Sequence, residues 1–437
     1  MLSDFPFVRV NPINHLKTRT LTDWLAWIET LHPRTIELGL ERVHAVLDSM
    51  GLRRPAFAAI AITGTNGKGS TTAMCEAILR RAGYKAGAYT SPHLIAYNER
   101  VRLDGRPVTD AQLCAAFERI EAARGAVPLT YFEFGTLAAF DIFRDANIDI
   151  AVLEVGMGGR LDAVNAIDAD VSIVTAVDID HVAWLGTTRE AIGREKAGIF
   201  RQGRAAICGD PNPPSIIAAE AQRIGAKLLQ IGRDFHVERG RTEWAWRFDG
   251  RLRAGLPYPA LRGDYQLLNA ASALTALEML AGRFPVSQAD VREGLLSAVI
   301  PGRFQVLPGR PVRVLDVAHN AQAARSLAAT LKQQAVPGRT LAVVGMLKDK
   351  DIASVVGELS AVVDWWYAAT LQTARGATAA QLIDALHAAG VRVPATGFDD
   401  VHQAYAAAMR EATEADRIVI FGSFHTVGDI LAALDKA

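Results

Sequence analysis

The hydrophobic positions along the chain predict buried strands that alternate with amphipathic helices. Two segments with helical spacing, residues 21–31 and 37–50, come first. Short apolar runs typical of buried strands then lie at residues 57–63, 148–155 and 171–177, and helical stretches separate them, the first at residues 70–82. Because strands that alternate with helices pair in parallel, this order predicts a parallel sheet covered on both faces.

Proline and glycine interrupt this pattern close to residue 300. Residues 300–311 contain three prolines and two glycines, which break any regular element. Beyond this segment, strands are predicted at residues 312–317, 341–344, 365–369 and 417–421, again with helical segments between them. We therefore predict an α/β protein with a larger domain at residues 1–300 and a smaller α/β domain at residues 301–437.

Composition and charge exclude several classes of partner. Lys plus Arg and Asp plus Glu number 47 each among 437 residues, so no overall positive field attracts nucleic acid or an anionic membrane. The cysteines, Cys75, Cys114 and Cys208, form no C-x-x-C pair, which argues against a disulfide framework or a zinc site. No signal segment and no apolar run of membrane-spanning length is visible. These features predict a cytoplasmic protein that binds neither nucleic acid nor a membrane.

The turn between the first strand and its helix carries the main chemical signal. It consists of Gly64, Thr65, Asn66, Gly67, Lys68, Gly69 and Ser70. Its glycines let the backbone approach an anion, and the N–H groups at the start of a helix favour phosphate. Lys68 is suited to neutralise a transferred phosphoryl group. Because Gly69 separates Lys68 from the hydroxyl, the loop departs from G-x-x-x-x-G-K-[ST], and a glycine turn with an exposed lysine is the alternative.

Further segments extend this signal over most of the chain. They are residues 90–94 (TSPHL), 98–101 (NERV), 153–163 (LEVGMGGRLDA), 194–199 (REKAGI), 301–304 (PGRF), 316–320 (DVAHN) and 422–425 (GSFH). Together with GTNGKGST they resemble the folylpolyglutamate synthases and dihydrofolate synthases of the Mur ligase superfamily, from about residue 30 to the C-terminus. The resemblance implies a P-loop parallel-sheet ATPase domain of the Mur-ligase central type, a smaller Rossmann-like C-terminal domain, and a monomer.

The activity that this resemblance implies is ATP-dependent ligation of L-glutamate. The carboxylate of dihydropteroate or of a folate would attack the γ-phosphorus of ATP, and the glutamate amine would then displace phosphate from the acyl phosphate. The segment TIELGLERV (residues 35–43) makes the chain similar to enzymes that perform both folate steps, with a monofunctional folylpolyglutamate synthase as the alternative.

Three other classes remain as rivals. A peptidoglycan-precursor ligase would need a nucleotide-sugar domain before the phosphate loop, and only about 60 residues precede it. A P-loop switch or motor would not need the second domain with its own motifs. A non-catalytic pterin carrier would not need the phosphate and metal residues.

Residues suited to hold Mg²⁺ follow the predicted strands. Glu154 ends a buried strand, where an unpaired carboxylate is costly, and His181 follows another strand end. The resemblance implies that Ser91, Glu154 and His181 are ligands of Mg²⁺ and that Lys196 is a catalytic lysine carbamylated by CO₂, whose new carboxylate also binds metal. A structural histidine and a solvated lysine on a charged helix face are the alternatives.

Three residues beyond the loop are similar to nucleotide contacts of the family, namely Asn269, Arg303 and Asp316. A helix cap at Asn269 and a linker arginine at Arg303 are the alternatives. From the chemistry of its loop alone, we also predict that His319 handles a proton in catalysis.

The acceptor site is predicted from three segments. The first two resemble family segments that bind the pterin substrate, and the third turn would lie between them. The residues are Thr35, Ile36, Glu37 and Leu38; Thr130, Tyr131, Phe132 and Glu133; and Arg160, Leu161 and Asp162. The aromatic rings are suited to stack on a flat pterin, although half of them could be core, and the first segment could be only a helix start.

Overall fold

A computed structural model of the chain describes residues 19–34 and 36–434. The strands of its largest sheet are β1 (Ala58–Thr63), β2 (Ala86–Tyr89), β3 (Val101–Leu103), β4 (Arg106–Pro107), β5 (Ile150–Glu154), β6 (Val171–Val174), β7 (Ala205–Cys208) and β8 (Lys227–Gln230). They lie in the order β4-β3-β2-β5-β1-β6-β7-β8. The strands from β2 to β8 in this order are parallel, whereas β3 and β4 add an antiparallel edge.

Helices cover both faces of this sheet, as the hydrophobic pattern predicts. One face carries α1 (Leu21–Ile28), α2 (Glu41–Ser49), α4 (Asp110–Arg124), α5 (Tyr131–Asp145), α7 (Arg189–Ala197) and α8 (Ile216–Ile224). The other carries α3 (Lys68–Arg81), α9 (Tyr265–Met279) and α10 (Gln288–Ser297). Alternate residues of β5 enter the two cores, since Ala151 and Leu153 face the first and Ile150 and Val152 the second.

A small antiparallel sheet packs against the second face. Its strands are β9 (Phe235–Arg239), β10 (Glu243–Phe248) and β11 (Arg251–Pro257). Trp246 is fully buried, and its indole N–H donates to Thr275 Oγ1 of α9 at 3.1 Å. This sheet was not predicted from the sequence.

The last part of the described chain forms a second α/β layer structure. Its elements are β12 (Gln305–Leu307), β13 (Val312–Asp316), α11 (Ala321–Gln333), β14 (Thr340–Val344), α12 (Ile352–Leu359), β15 (Trp365–Ala369), α13 (Ala379–Ala388), β16 (Ala395–Phe398), α14 (Val401–Glu411), β17 (Arg417–Phe421) and α15 (Phe424–Leu434). The sheet order is β12-β13-β17-β14-β15-β16, parallel except for β12. This confirms the predicted α/β fold class.

Several predicted strands end earlier in the structure than the apolar runs suggest. The run at residues 171–177 pairs only as far as Val174, and that at 148–155 ends at Glu154. Val155 and Val177 are nevertheless fully buried, and their backbone N–H groups donate to the Ile62 carbonyl oxygen at 2.9 Å and to Asp210 Oδ2 at 2.8 Å. Among the described residues, no helix combines the length and apolar character that crossing a membrane requires.

Candidate functional site

A cleft of about 830 Å³ lies at the carboxyl ends of parallel strands from both large sheets. Open α/β sheets bind ligands at this edge. The predicted residues that line the cleft are Thr65, Asn66, Gly67, Lys68, Gly69, Ser70, Ser91, Glu154, His181, Asn269, Arg303, Asp316 and His319. Gly64 and Lys196 instead line a small adjoining cavity that shares Lys68 and His181 with the cleft.

The glycines of the phosphate loop meet specific steric needs. Gly64 and Gly67 both have positive φ, at 155° and 91°. A Cβ on Gly64 would collide with the Thr175 side chain, and one on Gly67 would lie 2.6 Å from Asn269 Oδ1. The loop thus passes directly into α3 with its backbone against α9, which leaves the N–H groups of the first helical turn at the cleft.

These contacts give a prediction for Gly67→Ala. Gly83→Ala is the matched control, because Gly83 has a similar φ of 87° but no atom within 4 Å of the position that a Cβ would occupy. Both variants should lose about 1–2 kcal/mol of stability from left-handed backbone strain. Only Gly67→Ala should also weaken binding of a non-hydrolysable ATP analogue, measured by calorimetry. Equal nucleotide affinity in the two variants would contradict the role of Gly67.

Lys68 turns back over its own loop. Its Nζ donates to the carbonyl oxygens of Gly64 at 2.9 Å and Thr65 at 3.2 Å. Burial lowers the pKa of Lys68, while the carboxylates of Glu154 and Asp180 oppose that shift. The lysine is therefore held at the loop by carbonyl groups that an anionic phosphate oxygen can replace.

Glu154 has the environment of a cation ligand. It is 4% exposed, and its described hydrogen-bond donor is the Ser91 backbone N–H at 3.4 Å. Burial raises its pKa, whereas the positive charges of Lys68 and Arg303 lower it. Within residues 19–34 and 36–434, no three His, Cys, Asp or Glu side chains converge as a metal site. The oxygen atoms of Ser91 and Glu154 nevertheless suit Mg²⁺, which prefers oxygen ligands. This ion often keeps several waters and binds phosphate oxygens of the substrate in addition to one or two carboxylates.

His181 begins α6 (Val182–Leu185) from a left-handed backbone conformation, with φ 51°. Burial lowers the pKa of His181 to about 4, with the neighbouring charge of Asp180 opposing and that of Lys350 assisting the shift. The imidazole is therefore neutral at neutral pH, which is the form that binds metal.

Lys196 lies on α7 and is 3% exposed, so it is not the solvated lysine of the alternative interpretation. The small cavity that it lines also contains Lys68, Asp180, His181 and Met157. Burial moves the pKa of Lys196 well below its usual value, and the charge of Lys68 adds to that shift. No carboxylate of the described chain forms an ion pair with it.

The phosphate loop also contacts the C-terminal part of the chain. Asn66 Nδ2 donates to Asn320 Oδ1 at 3.0 Å and to Gln322 Oε1 at 2.6 Å. Asp180 accepts from Lys350 Nζ at 2.6 Å and from Asn320 Nδ2 at 3.3 Å. Neither Asp180 nor Lys350 was predicted from the sequence. For Asp180 a signal existed, since it directly precedes His181; for Lys350 we find none.

Asp180 remains ionised in this network. Burial raises its pKa, but the neighbouring His319, His181 and Lys350 side chains outweigh burial and hold the pKa well below its usual range. The Nδ1 atom of His319 lies 2.8 Å from the Val317 carbonyl oxygen and Nε2 lies 3.6 Å from Asp180 Oδ2. A proton on Nδ1 satisfies the carbonyl, which leaves Nε2 facing the carboxylate and the cleft.

The predicted nucleotide contacts are held by their neighbours. Asn269 lies inside α9 rather than at a helix cap, and its Nδ2 donates to Gln266 Oε1 at 3.0 Å. Asp316 accepts from the backbone N–H groups of Phe304 and Ala318, each at 2.8 Å, and burial raises its pKa against the opposing charge of Arg303. Asp316 thereby holds the loop that carries Arg303 at the cleft.

Among the described residues, none of the predicted acceptor residues is part of the cleft lining. Thr35 lies outside the described residues. Ile36, Glu37 and Leu38 precede α2, whereas Thr130 caps α5 and Tyr131, Phe132 and Glu133 form its first turn. Phe132 packs against Gly156, which lines the cleft, and the ring of Tyr131 lies 5.6 Å from that of Tyr97.

The third acceptor segment forms a tight turn after β5. Arg160 is exposed and pairs with Glu195 at 2.9 Å, and the Leu161 carbonyl accepts from Gly39 N–H at 3.2 Å. Asp162 is buried, accepts from the N–H groups of Met157 at 2.9 Å and Val164 at 3.0 Å, and burial raises its pKa to about 7.

The raised pKa of Asp162 gives a prediction for stability against pH. Between about pH 4, where an unfolded aspartate titrates, and pH 7, the folded state binds the proton and the unfolded state does not. The free energy of unfolding contributed by Asp162 should therefore be largest below pH 4 and fall as pH rises through 7. Relative to Asp162→Asn, the unsubstituted protein should lose stability over this window in urea titrations. The control Asp384→Asn, at an exposed position, should have the same dependence of stability on pH as the unsubstituted protein. If Asp162→Asn also had that dependence, the raised pKa of Asp162 would be contradicted.

Comparison with known proteins assigns the chain to a family. Residues 62–277 match the Mur ligase middle domain, and residues 302–424 match the Mur ligase glutamate ligase domain. The dihydrofolate synthase/folylpolyglutamate synthase of Escherichia coli strain K12 is 46% identical over 415 residues, covering 95% of this chain and 96% of that protein.

Solved structures agree with this similarity. Escherichia coli FolC in complex with DHPP and ADP is 45% identical, with a TM-score of 0.91 over 96% of this chain and 98% of that chain. A bifunctional folylpolyglutamate synthase/dihydrofolate synthase with Mn, AMPPNP and L-glutamate bound is also 45% identical, with a TM-score of 0.89 over the same shares. The chain belongs to the dihydrofolate synthase/folylpolyglutamate synthase family of Mur ligases.

Proposed function

We propose that this chain is an ATP-dependent ligase that joins L-glutamate to dihydropteroate, forming dihydrofolate, and to tetrahydrofolate or its polyglutamates. The observation that carries the proposal is a single cleft. It is lined by the phosphate loop, by the buried Glu154 carboxylate at the end of β5, and by Arg303, which precedes β12. The relatives add support, since they are named for both folate activities and were solved with ADP, AMPPNP, L-glutamate and DHPP.

The reaction requires activation of a carboxylate, which by itself is a poor acyl donor. The acceptor carboxylate attacks the γ-phosphorus of ATP, ADP leaves, and an acyl phosphate forms. The glutamate amine then attacks the acyl carbon, loses a proton and displaces phosphate. We assign Lys68 and Arg303 to neutralise the negative charge on the transferring phosphoryl group. Asn269 and Asp316 are assigned to nucleotide binding, and Asp316 also holds the loop that carries Arg303. Contacts such as Asn66 with Asn320 exclude water from the cleft and protect the acyl phosphate.

His319 is assigned to the proton of the amine step. Its Nε2 faces both the cleft and the ionised Asp180. An imidazole in this position can accept the proton that the attacking amine must lose, and Asp180 stabilises the resulting imidazolium.

Ser91, Glu154 and His181 would hold Mg²⁺ beside the phosphate loop. When bound, the ion neutralises charge on the nucleotide phosphates and orients them. Glu154 is suited to this role because it is buried without a described side-chain hydrogen-bond donor, and the neutral His181 can contribute its lone pair.

Lys196 is assigned as a carbamylated lysine. Its burial and lowered pKa favour the neutral amine, which can attack the carbon of CO₂ to form an N–C bond and release one proton. The product is a carbamate anion in place of the neutral amine, and a positive charge on Lys68 would stabilise it. Such an anion would suit a second Mg²⁺ position in the small cavity.

We further propose a monomeric, cytoplasmic enzyme with its domain boundary between residues 300 and 301, and with no nucleic-acid or membrane partner. The boundary is supported by the end of α10 at Ser297 and the start of β12 at Gln305, in the next sheet. The equal numbers of acidic and basic residues support the absence of a nucleic-acid or anionic-membrane partner.

The deciding experiment measures ADP release with ATP, Mg²⁺ and L-glutamate, in the presence of dihydropteroate, of tetrahydrofolate, or of no acceptor. Turnover with both acceptors and a product heavier by one glutamyl unit would establish the dual ligase. Turnover with tetrahydrofolate alone would leave a monofunctional folylpolyglutamate synthase. ADP release without an acceptor and without ligated product would indicate a P-loop switch instead.

A further inference from the structure

One arginine joins two of the predicted acceptor segments. Arg42 lies in α2, and its guanidinium donates through Nε and Nη2 to Glu133 Oε1 at 3.1 and 2.9 Å. The same side chain donates through Nη1 to Glu37 Oε1 at 3.0 Å and through Nη2 to the Glu37 carbonyl at 2.9 Å. The loop before α2 is therefore bound to the first turn of α5 by a single planar group.

We call the cluster of Arg42, Glu37 and Glu133 the brace. Both of its carboxylates already accept hydrogen bonds from donors of the protein. Glu133 is 3% exposed, and its Oε2 also accepts from the Thr130 backbone N–H at 2.7 Å, which completes the capping box of α5. The second oxygen of Glu37 faces Arg34 at 3.4 Å and His32 at 3.5 Å. Neither carboxylate is thus free to serve as the main ligand of an acceptor molecule, although both were predicted to bind one.

The brace is connected to the cleft by packing. The first turn of α5 carries Phe132, which packs against Gly156 in the cleft lining and lies 6.1 Å from the ring of Tyr89. On the other side, Gly39 N–H donates to the Leu161 carbonyl at 3.2 Å. The three acceptor segments therefore share one support, and a shift of the loop would be transmitted to the wall around Gly156.

We propose that Arg42 is a positioning residue for the aromatic acceptor acid. It holds the loop at residues 36–40 against α5, so that the wall formed by Phe132 and Gly156 is flat enough to fit an aromatic ring. Arg42 does this without touching the acceptor. This inference rests on the proposed ligase function. It assigns Glu37 and Glu133 to the support of the site rather than to direct contact.

The test compares Arg42→Gln and Arg42→Lys with the unsubstituted protein in steady-state ligation with dihydropteroate. Lysine keeps the charge but cannot contact Glu133 and Glu37 together in one plane. KM for dihydropteroate should rise roughly tenfold or more in both variants, because a small displacement of a binding wall has a large effect. KM for ATP should not change, since the phosphate loop leads into α3 and the described hydrogen bonds of the Arg42 guanidinium go to Glu133 and Glu37 instead.

Arg119→Gln is the matched control. Arg119 also pairs with a fully buried carboxylate, Asp141, at the far end of α5. It should lower Tm and leave KM for dihydropteroate unchanged. Should Arg42→Gln fail to fold, Glu133→Gln replaces it, because glutamine at this position keeps the capping box while losing the ion pair.

Two results would overturn the inference. One is an unchanged acceptor KM in the Arg42 variants. The other is a rise of KM for dihydropteroate in Arg119→Gln. If the rise per degree of lost Tm were the same in Arg119→Gln and Arg42→Gln, reduced stability alone would explain both. Direct calorimetric binding of dihydropteroate separates this inference from the proposed function. Absent ligation in the unsubstituted protein would contradict only the ligase, whereas equal dihydropteroate affinity with and without Arg42→Gln would contradict only the positioning role.

Discussion

Replacing Lys68 by methionine should lower the single-turnover rate of ligation at saturating ATP by about 10² to 10³-fold. The reason is that the Lys68 ammonium lies at the phosphate loop beside Glu154 and can leave its two carbonyl partners for the phosphoryl oxygens. Methionine keeps most of the length and the apolar stem of the side chain but removes the charge that opposes the transferring phosphoryl group. The measurement is single-turnover formation of glutamylated product at saturating ATP.

The matched control for this variant is Lys85→Met, at an exposed position before β2. It should retain full ligation rates. Both variants should bind the aromatic acceptor normally, since Lys68 does not belong to the acceptor segments. Ligation by Lys68→Met within a factor of a few of the unsubstituted rate would contradict the assignment of Lys68 and require another cation, with Arg303 as the first candidate.

Replacing Lys196 by methionine should lower the ligation rate by about 10- to 100-fold and at the same time raise stability in CO₂-depleted buffer. The loss follows from removal of the proposed carbamate. The gain follows from burial, since Lys196 is 3% exposed beside Lys68 and its pKa is well below the usual value. An apolar side chain removes the cost of burying an amine there.

The sign of the pH dependence follows from this lowered pKa. An unfolded lysine titrates near about pH 10.4, whereas the folded protein excludes the proton down to a much lower pH. The unfolded state therefore binds more protons at neutral pH, and the stability of the unsubstituted protein should rise toward pH 10 relative to Lys196→Met. Bicarbonate should raise Tm of the unsubstituted protein but not of Lys196→Met. The exposed Lys332→Met should leave both responses unchanged.

A bicarbonate-independent Tm in the unsubstituted protein, together with full ligation by Lys196→Met, would contradict the carbamate proposal. Carbon-13 NMR with labelled bicarbonate provides a direct readout, because a carbamate on Lys196 would give a signal that the methionine variant lacks. This readout does not depend on activity.

Local sequence was sufficient for the phosphate loop. Its groups come from one strand, one turn and one helix, so their spacing in the chain determines their spacing in space. The need for glycine at Gly64 and Gly67 followed from the close backbone approach that a phosphate requires, although only the tertiary structure identified Thr175 and Asn269 as the neighbours. The same holds for the strand ends that carry Glu154 and Asp316.

The hydrophobic pattern alone predicted strand ends less accurately, and it did not predict the small antiparallel sheet of β9, β10 and β11. Buried loop residues such as Val177 extend an apolar run beyond the strand that they follow, so predicted strands were too long. The alternation of Trp244, Trp246 and Phe248 is a period-2 signal for β10, and the predicted parallel α/β pattern did not include it.

The sequence by itself determined the α/β class and the phosphate loop, because each depends on local spacing, whereas the remaining site residues stay predictions from the resemblance to a family. Only the tertiary structure decided the partners of those residues. Asp180 meets Lys350 across 170 positions and Arg42 meets Glu133 across 91. A local pattern reports whether a side chain is buried or charged, whereas the identity of its distant partner depends on how sheets and loops are brought together.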